Sequence, residues 1–106
     1  MPEFHDAMPT DWIEPGETAT VEVDGVPVAI ANVQGDFYAF SNNCPHQATQ
    51  LGGLPLARNC LITCPEHHSV YDVRNGQCVV PSDDGFAADL QTFGTRVVEE
   101  VVQVEF

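Results

Sequence analysis

Residues 42–76 read NNCPHQATQLGGLPLARNCLITCPEHHSVYDVRNG, and this stretch decides how the chain is read. Cys44 and His46 stand two apart, Cys64 and His67 three apart, with seventeen residues between the two pairs. Each pair joins one soft thiol donor to one imidazole. Gly52, Gly53 and Pro55 punctuate the intervening segment, as in a chain that turns back on itself. The spacing places both pairs in loops beside strands, from which two loops can converge on one metal centre.

Around this stretch the pattern is strand and turn. TATVEVDGVPVAIANVQGDFYAF (residues 18–40) alternates apolar and polar residues and breaks at Asp24-Gly25 and Gln34-Gly35. It reads as three antiparallel strands joined by short hairpins. LITC is a short strand leading into the second pair, and SVYDVRNGQCVV a hairpin turning at Asn75-Gly76. TRVVEEVVQVEF supplies two more strands around Glu99-Glu100, and only GFAADLQTF is compatible with a helical turn. No repeat, linker or low-complexity segment interrupts the pattern. The expectation is a single all-β domain spanning residues 1–106, built of antiparallel sheets in a basal sandwich. A small metal-binding part, about residues 42–83, is inserted in it.

Composition bounds the function. A chain of 106 residues with 43% hydrophobic residues supports one core. It has no lysine, and three arginines face sixteen acidic residues for a formal charge of −13. Nucleic acid and anionic membranes would both be repelled, so neither is an expected partner. The acidity serves solubility or steers the protein toward a basic partner. MPEFHDAMPTDW has neither a basic start nor an apolar core, so it does not read as a secretory signal. No run of about 18 apolar residues, the length of a membrane span, occurs. The expected setting is cytoplasmic and reducing, where four cysteines act as ligands or free thiols rather than a disulfide framework.

Two thiols and two imidazoles can hold zinc or an iron–sulfur cluster. Zinc fingers group like ligands with like, two cysteines and then two histidines. Here each loop contributes one of each, which suits a binuclear cluster with both thiolates on one iron and both imidazoles on the other.

Cys44-Pro45-His46 followed by Cys64-Pro65-Glu66-His67 resembles the Rieske motif C-x-H…C-x-x-H, which binds a 2Fe–2S cluster. The flank HSVYDVRNG is similar to the family's H-G-S-x-F-D-x-x-T-G continuation, and Leu51 and Gly53 match its inter-motif turn. The resemblance covers the whole chain and implies the Rieske fold, with Cys44, His46, Cys64 and His67 as ligands. Because neutral imidazoles replace two thiolates, such clusters have potentials of roughly −150 to +300 mV, against about −400 mV for all-cysteine ferredoxins. The resemblance further implies that Ser69 and Tyr71 donate hydrogen bonds to the cluster region and that Pro81 belongs to a loop shielding it.

Three features depart from the family pattern. His68 occupies a common glycine position; it reads as an exposed loop residue, of a type that tolerates left-handed backbone. The positions matching the inter-loop disulfide of quinol-oxidising Rieske proteins are Thr49 and Glu66, so that bridge cannot form. Cys60 and Cys78 read as small buried hydrophobes, His5 as a surface residue, and Trp12, Phe37, Tyr38, Phe40 and Phe93 as core or strand-face residues.

The chain shows no nucleotide fingerprint and no second metal site for oxygen chemistry. The reading is therefore a soluble, monomeric one-electron carrier and not an enzyme. It resembles the Rieske ferredoxin components of bacterial multicomponent oxygenases. The resemblance implies an NADH-dependent flavin reductase and a terminal oxygenase as partners. CPHQ and PSDDGFAADL look closer to ferredoxins of toluene 4-monooxygenase-type diiron systems than to those of ring-hydroxylating dioxygenases. The alternatives are a small Rieske subunit of a nitrite reductase-type enzyme and a zinc-stabilised interaction module.

Overall fold

The computed structural model describes residues 3–45, 49–66, 68–85 and 87–106. The described residues form nine strands: β1 (Phe4–Pro9), β2 (Thr18–Val23), β3 (Val26–Val33), β4 (Asp36–Ser41), β5 (Leu61–Thr63), β6 (Val70–Asp72), β7 (Cys78–Val80), β8 (Thr92–Val98) and β9 (Val101–Glu105). A single 3-10 turn, Thr10–Trp12, follows β1.

Three tight hairpins organise the body. In each, two residues take positive φ: Asp24 (51°) and Gly25 (82°), Gln34 (53°) and Gly35 (97°), Glu99 (51°) and Glu100 (65°). That pairing of left-handed residues matches the right-handed twist of the flanking strands. Glu99-Glu100 adopts it without a glycine, at a cost of about 1–2 kcal/mol per residue. The strand pair Val98–Val101 and a 2.9 Å bond from the Thr10 N–H to the Glu100 carbonyl hold it there.

The six body strands form one antiparallel sheet in the order β1-β9-β8-β4-β3-β2, curled so that β1 and β2 approach each other. The expected sandwich is thus two halves of a single sheet. Between them lies a core of Met8, Ile13, Val21, Val23, Val28, Ile30, Ala39, Val102 and Val104. Strand side chains alternate between faces, so β3 turns Val28 and Ile30 into this core and Ala29, Ala31 and Val33 out the other side. On that outer face sits a second core, shared with Phe40, Cys44, Leu51, Ile62, Cys64, Tyr71, Val73 and Leu90. The second core is roofed by the small sheet β5-β6-β7, which lies in the excursion between β4 and β8. Among the described residues no helix is long and apolar enough to cross a membrane.

Four local expectations are corrected. GFAADLQTF forms no helical turn among its described residues. Its groups serve the neighbouring hairpin instead: the Leu90 N–H bonds the Gly76 carbonyl, and the Asp89 carboxylate accepts the Cys78 N–H. The β6–β7 hairpin does not turn tightly at Asn75-Gly76. Gly76 alone of the two has positive φ, and the loop runs from Val73 to Gln77, closed by the Asp72 N–H on the Gln77 carbonyl. The Asp72 carboxylate, held below its usual range chiefly by the hydrogen-bonded Arg74 guanidinium, organises that loop. Trp12 is 62% exposed on the 3-10 turn and belongs to neither core. His5 is half-buried on β1, stacked on Phe106 with centroids 5.0 Å apart.

Candidate metal centre

Two hairpin loops of equal length carry the cysteines. Asn43 bridges to Gln50, and Thr63 pairs with Val70, each seven positions on. Inside these closures the Cys44 N–H bonds the Thr49 carbonyl at 2.9 Å, and the Cys64 N–H bonds the Ser69 carbonyl at 2.8 Å. Loops 44–49 and 64–69 therefore each open with their cysteine and close with the same backbone bond. In sequence His46 falls at the third place of its loop and His67 at the fourth. Both histidines lie outside the described residues, as do Gln47 and Ala48.

The two thiols are withdrawn from water, Cys44 at 3% and Cys64 at 0% exposure, in the same core. No disulfide joins any of the four cysteines. Two buried hydroxyls converge on Cys44: Tyr71 Oη lies 3.4 Å from its Sγ and Ser69 Oγ 3.9 Å. Tyr71 reaches the thiol from the middle of β6 and is fully buried. Burial first, then the Cys44 contact, pushes the Tyr71 phenol well above its ordinary range, against a smaller opposing effect from Ser69. The phenol consequently keeps its proton and acts as a donor once Cys44 is a thiolate. Among the described residues no group of three or more potential metal ligands is assembled. A buried thiol pair with protonated hydroxyls aimed at one sulfur nonetheless fits a thiolate-held cluster, since buried negative sulfur needs donors around it.

The second loop carries its own clasp. His68 has φ 63°, the left-handed conformation its position required, and its Nδ1 lies 2.7 Å from Asp83 Oδ2. Pro81 stands exposed just after β7, and Asp83, two residues beyond it, makes the contact to the ligand loop. Fifteen positions apart in sequence, His68 and Asp83 meet only through the fold. Cys60 and Cys78 are half-buried and pack against the core, less enclosed than the expected small hydrophobes; desolvation raises the Cys78 thiol. The other residues missed from sequence are Thr18 and Asn42, which bind the return leg of the first loop through its backbone, and Thr20, which bonds the Asn42 amide. Their only sequence signal is a polar residue two before Cys44.

The model of the Rieske [2Fe-2S] domain matches residues 3–94. The ferredoxin component of the naphthalene 1,2-dioxygenase/salicylate 5-hydroxylase systems of Ralstonia sp is 30% identical over 93 residues, 87% of this chain and 85% of that one. The biphenyl dioxygenase ferredoxin subunit of Pseudomonas sp. (strain KKS102) is 29% identical over 103 residues, 97% and 92% of the two chains. Among solved structures, a chain from the complex of reduced oxygenase and oxidized ferredoxin in carbazole 1,9a-dioxygenase superposes with a TM-score of 0.81 at 26% identity. That match covers 93% of this chain and 98% of the other. With the loop geometry and these relatives in agreement, the chain belongs to the Rieske [2Fe-2S] domain family and carries one cluster of that type.

Proposed function

We propose that this protein is the ferredoxin component of an aromatic-ring dioxygenase system. It is a soluble one-electron carrier between an NADH-dependent flavin reductase and a terminal oxygenase. The observation that carries this reading is the pair of matched loops that bury Cys44 and Cys64 in one core with the Tyr71 hydroxyl on Cys44. Cys44, His46, Cys64 and His67 would hold the cluster, the two thiolates and the two imidazoles serving as its ligands. The cluster, when bound, supplies reversible one-electron transfer. The chain's own residues seat both thiolates away from water and aim the Tyr71 and Ser69 hydroxyls at Cys44. The dioxygenase relatives favour this branch over a toluene 4-monooxygenase-type system, for which they offer no support. Anaerobic titration of the purified red-brown protein is expected to take up one electron per chain, and the reduced protein to be reoxidised by a dioxygenase terminal oxygenase. Colourless protein with stoichiometric zinc and no iron would overturn the reading.

The ligand histidine of the second loop is testable by substitution. His68→Gly relieves a left-handed side chain and removes only an exposed contact to Asp83, so it is expected to keep its colour. His67→Ala is expected to bleach or to leave a labile cluster. Colour retained in His67→Ala and lost in His68→Gly would move the ligand by one position.

Hydrogen bonds to cluster sulfur favour the reduced state, because reduction adds negative charge. Tyr71→Phe and Ser69→Ala are each expected to lower the potential by some tens of millivolts, where ~59 mV is tenfold for a one-electron couple. The Tyr71 contact at 3.4 Å should matter more than the Ser69 contact at 3.9 Å. Lacking the inter-loop disulfide and carrying excess acidic charge, the protein is expected in the lower half of the Rieske range, though above its floor. Protein-film voltammetry reads all three; unchanged potentials would show that these hydroxyls do not address the cluster.

A further inference from the structure

The first ligand loop is fastened to the body by polar side chains that lie outside residues 44–49 and 64–69. Asn42 directly follows β4 and is 3% exposed. Its carbonyl accepts the Leu51 N–H at 2.8 Å, and its Oδ1 accepts both the Gly52 N–H at 2.9 Å and the Thr20 hydroxyl at 2.8 Å. Thr20 lies on β2, across the sheet from the loop's own strand, with β3 between them. One same-face position away, the Thr18 hydroxyl donates to the Leu54 carbonyl while its oxygen accepts the Gly53 N–H at 2.9 Å. Four successive residues of the return leg, 51–54, are thus held by Asn42 and Thr18, and Thr20 holds the Asn42 amide in place. The fit is close: a Cβ on Gly52 would stand 1.8 Å from Thr20 Oγ1 and 2.7 Å from Asn42 Oδ1.

This fastening bears on the site because of what lies on either side of it. Cys44 belongs to the fastened loop, whereas Tyr71 comes from β6 in the small sheet. Leu51, bonded through its N–H to Asn42, is fully buried in the core that contains Cys44, Cys64 and Tyr71. The Tyr71–Cys44 distance is therefore set by where the first loop rests on β2. A hydrogen bond to sulfur weakens steeply with distance and misalignment, so a small displacement of the loop is felt there before it is felt in the fold.

We infer that Thr20 and Asn42 are positioning residues for the redox centre: Thr20 holds the Asn42 amide, that amide locks Gly52 to the body sheet, and together they hold Cys44 against the Tyr71 hydroxyl and so raise the potential. The inference rests on the proposed cluster ligation by Cys44. The test is a double-mutant cycle on the holoprotein, read by protein-film voltammetry. Thr20→Val keeps the shape of the side chain and removes its donor, so it is the mild variant; Asn42→Ala is the stronger one. Each is expected to lower the potential in the presence of Tyr71, by roughly threefold in the one-electron equilibrium constant. Thr20→Ser is expected to restore the parent value. In a Tyr71→Phe background the same two substitutions are expected to shift the potential little or not at all, since the contact they position is gone. Fully additive shifts, or unchanged potentials in the single variants, would overturn the inference while leaving the ligand assignment intact. An iron-free parent protein would instead overturn the ligand assignment, and this inference with it.

Discussion

Cys44→Ser and Cys64→Ser are each expected to yield protein without iron or acid-labile sulfide, where the parent holds two of each per chain as a 2Fe–2S cluster requires. Both side chains sit in a closed apolar core beside Leu51, Ile62, Tyr71 and Val73, so the sulfur is held where no solvent ligand can replace it. A serine oxygen is a hard and short substitute for a soft thiolate. Because cluster binding stabilises only the folded chain, the two variants should also unfold at lower temperature than the parent. Cys60→Ser and Cys78→Ser are the controls. Both thiols are half-buried, the Cys78 sulfur bonds the Val80 carbonyl, and neither substitution should remove colour. Iron retained in Cys44→Ser, or lost in Cys60→Ser, would show that the ligand set has been misread.

The second large effect is expected from Gly76→Ala. Gly76 has φ 78°, and a Cβ there would stand 2.3 Å from the Leu90 carbonyl oxygen and 2.9 Å from Thr92 Cγ2. The Leu90 backbone cannot retreat freely, because its N–H bonds the Gly76 carbonyl at 2.7 Å. Left-handed backbone alone costs a non-glycine residue about 1–2 kcal/mol, and a clash with backbone adds to it. A total of about 3 kcal/mol corresponds to a fall of roughly 10–20 °C in apparent Tm for a domain near this size. Gly25→Ala separates the two contributions, since Gly25 has φ 82° but a Cβ there would meet nothing within 4 Å. Its thermal shift should be about one-third to two-thirds that of Gly76→Ala in differential scanning calorimetry. Equal shifts would mean that conformation alone, and not the contact with Leu90, makes position 76 a glycine.

Much of the fold was legible where one short stretch carries its own physics. Asp24-Gly25, Gln34-Gly35 and Glu99-Glu100 all turn where alternation breaks, because a two-residue hairpin demands left-handed residues that those dipeptides can adopt. The tight turn expected at Asn75-Gly76 failed for an equally local reason that sequence does not weigh. Asp72, paired to Arg74 and accepting the Gly76 N–H through its carbonyl, draws the chain into a wider loop. β1 went unread because its partner, β9, lies at the other end of the chain: Phe4 faces Glu105 and His5 faces Val104. Nothing within FHDAMP announces a strand, and its pairing is decided only when the sheet curls.

What the sequence by itself determined is the chemistry on offer. Two Cys/His pairs at fixed spacing, with Ser69 and Tyr71 following the second, limit the donor set, and those identities do not depend on folding. Tertiary structure alone decided how that set is held. It buried β3 on both faces, so that one strand joins the body core to the core around Cys44 and Cys64. It brought His68 to Asp83, set the Asn42 amide on the backbone of the first loop, and brought Thr20 to that amide. These contacts join residues 15, 22 and 10 positions apart through bonds of 2.7–2.9 Å. Side-chain periodicity reports which face of its own strand a residue takes, whereas contacts of this kind depend on which faces meet, and that is settled only by packing.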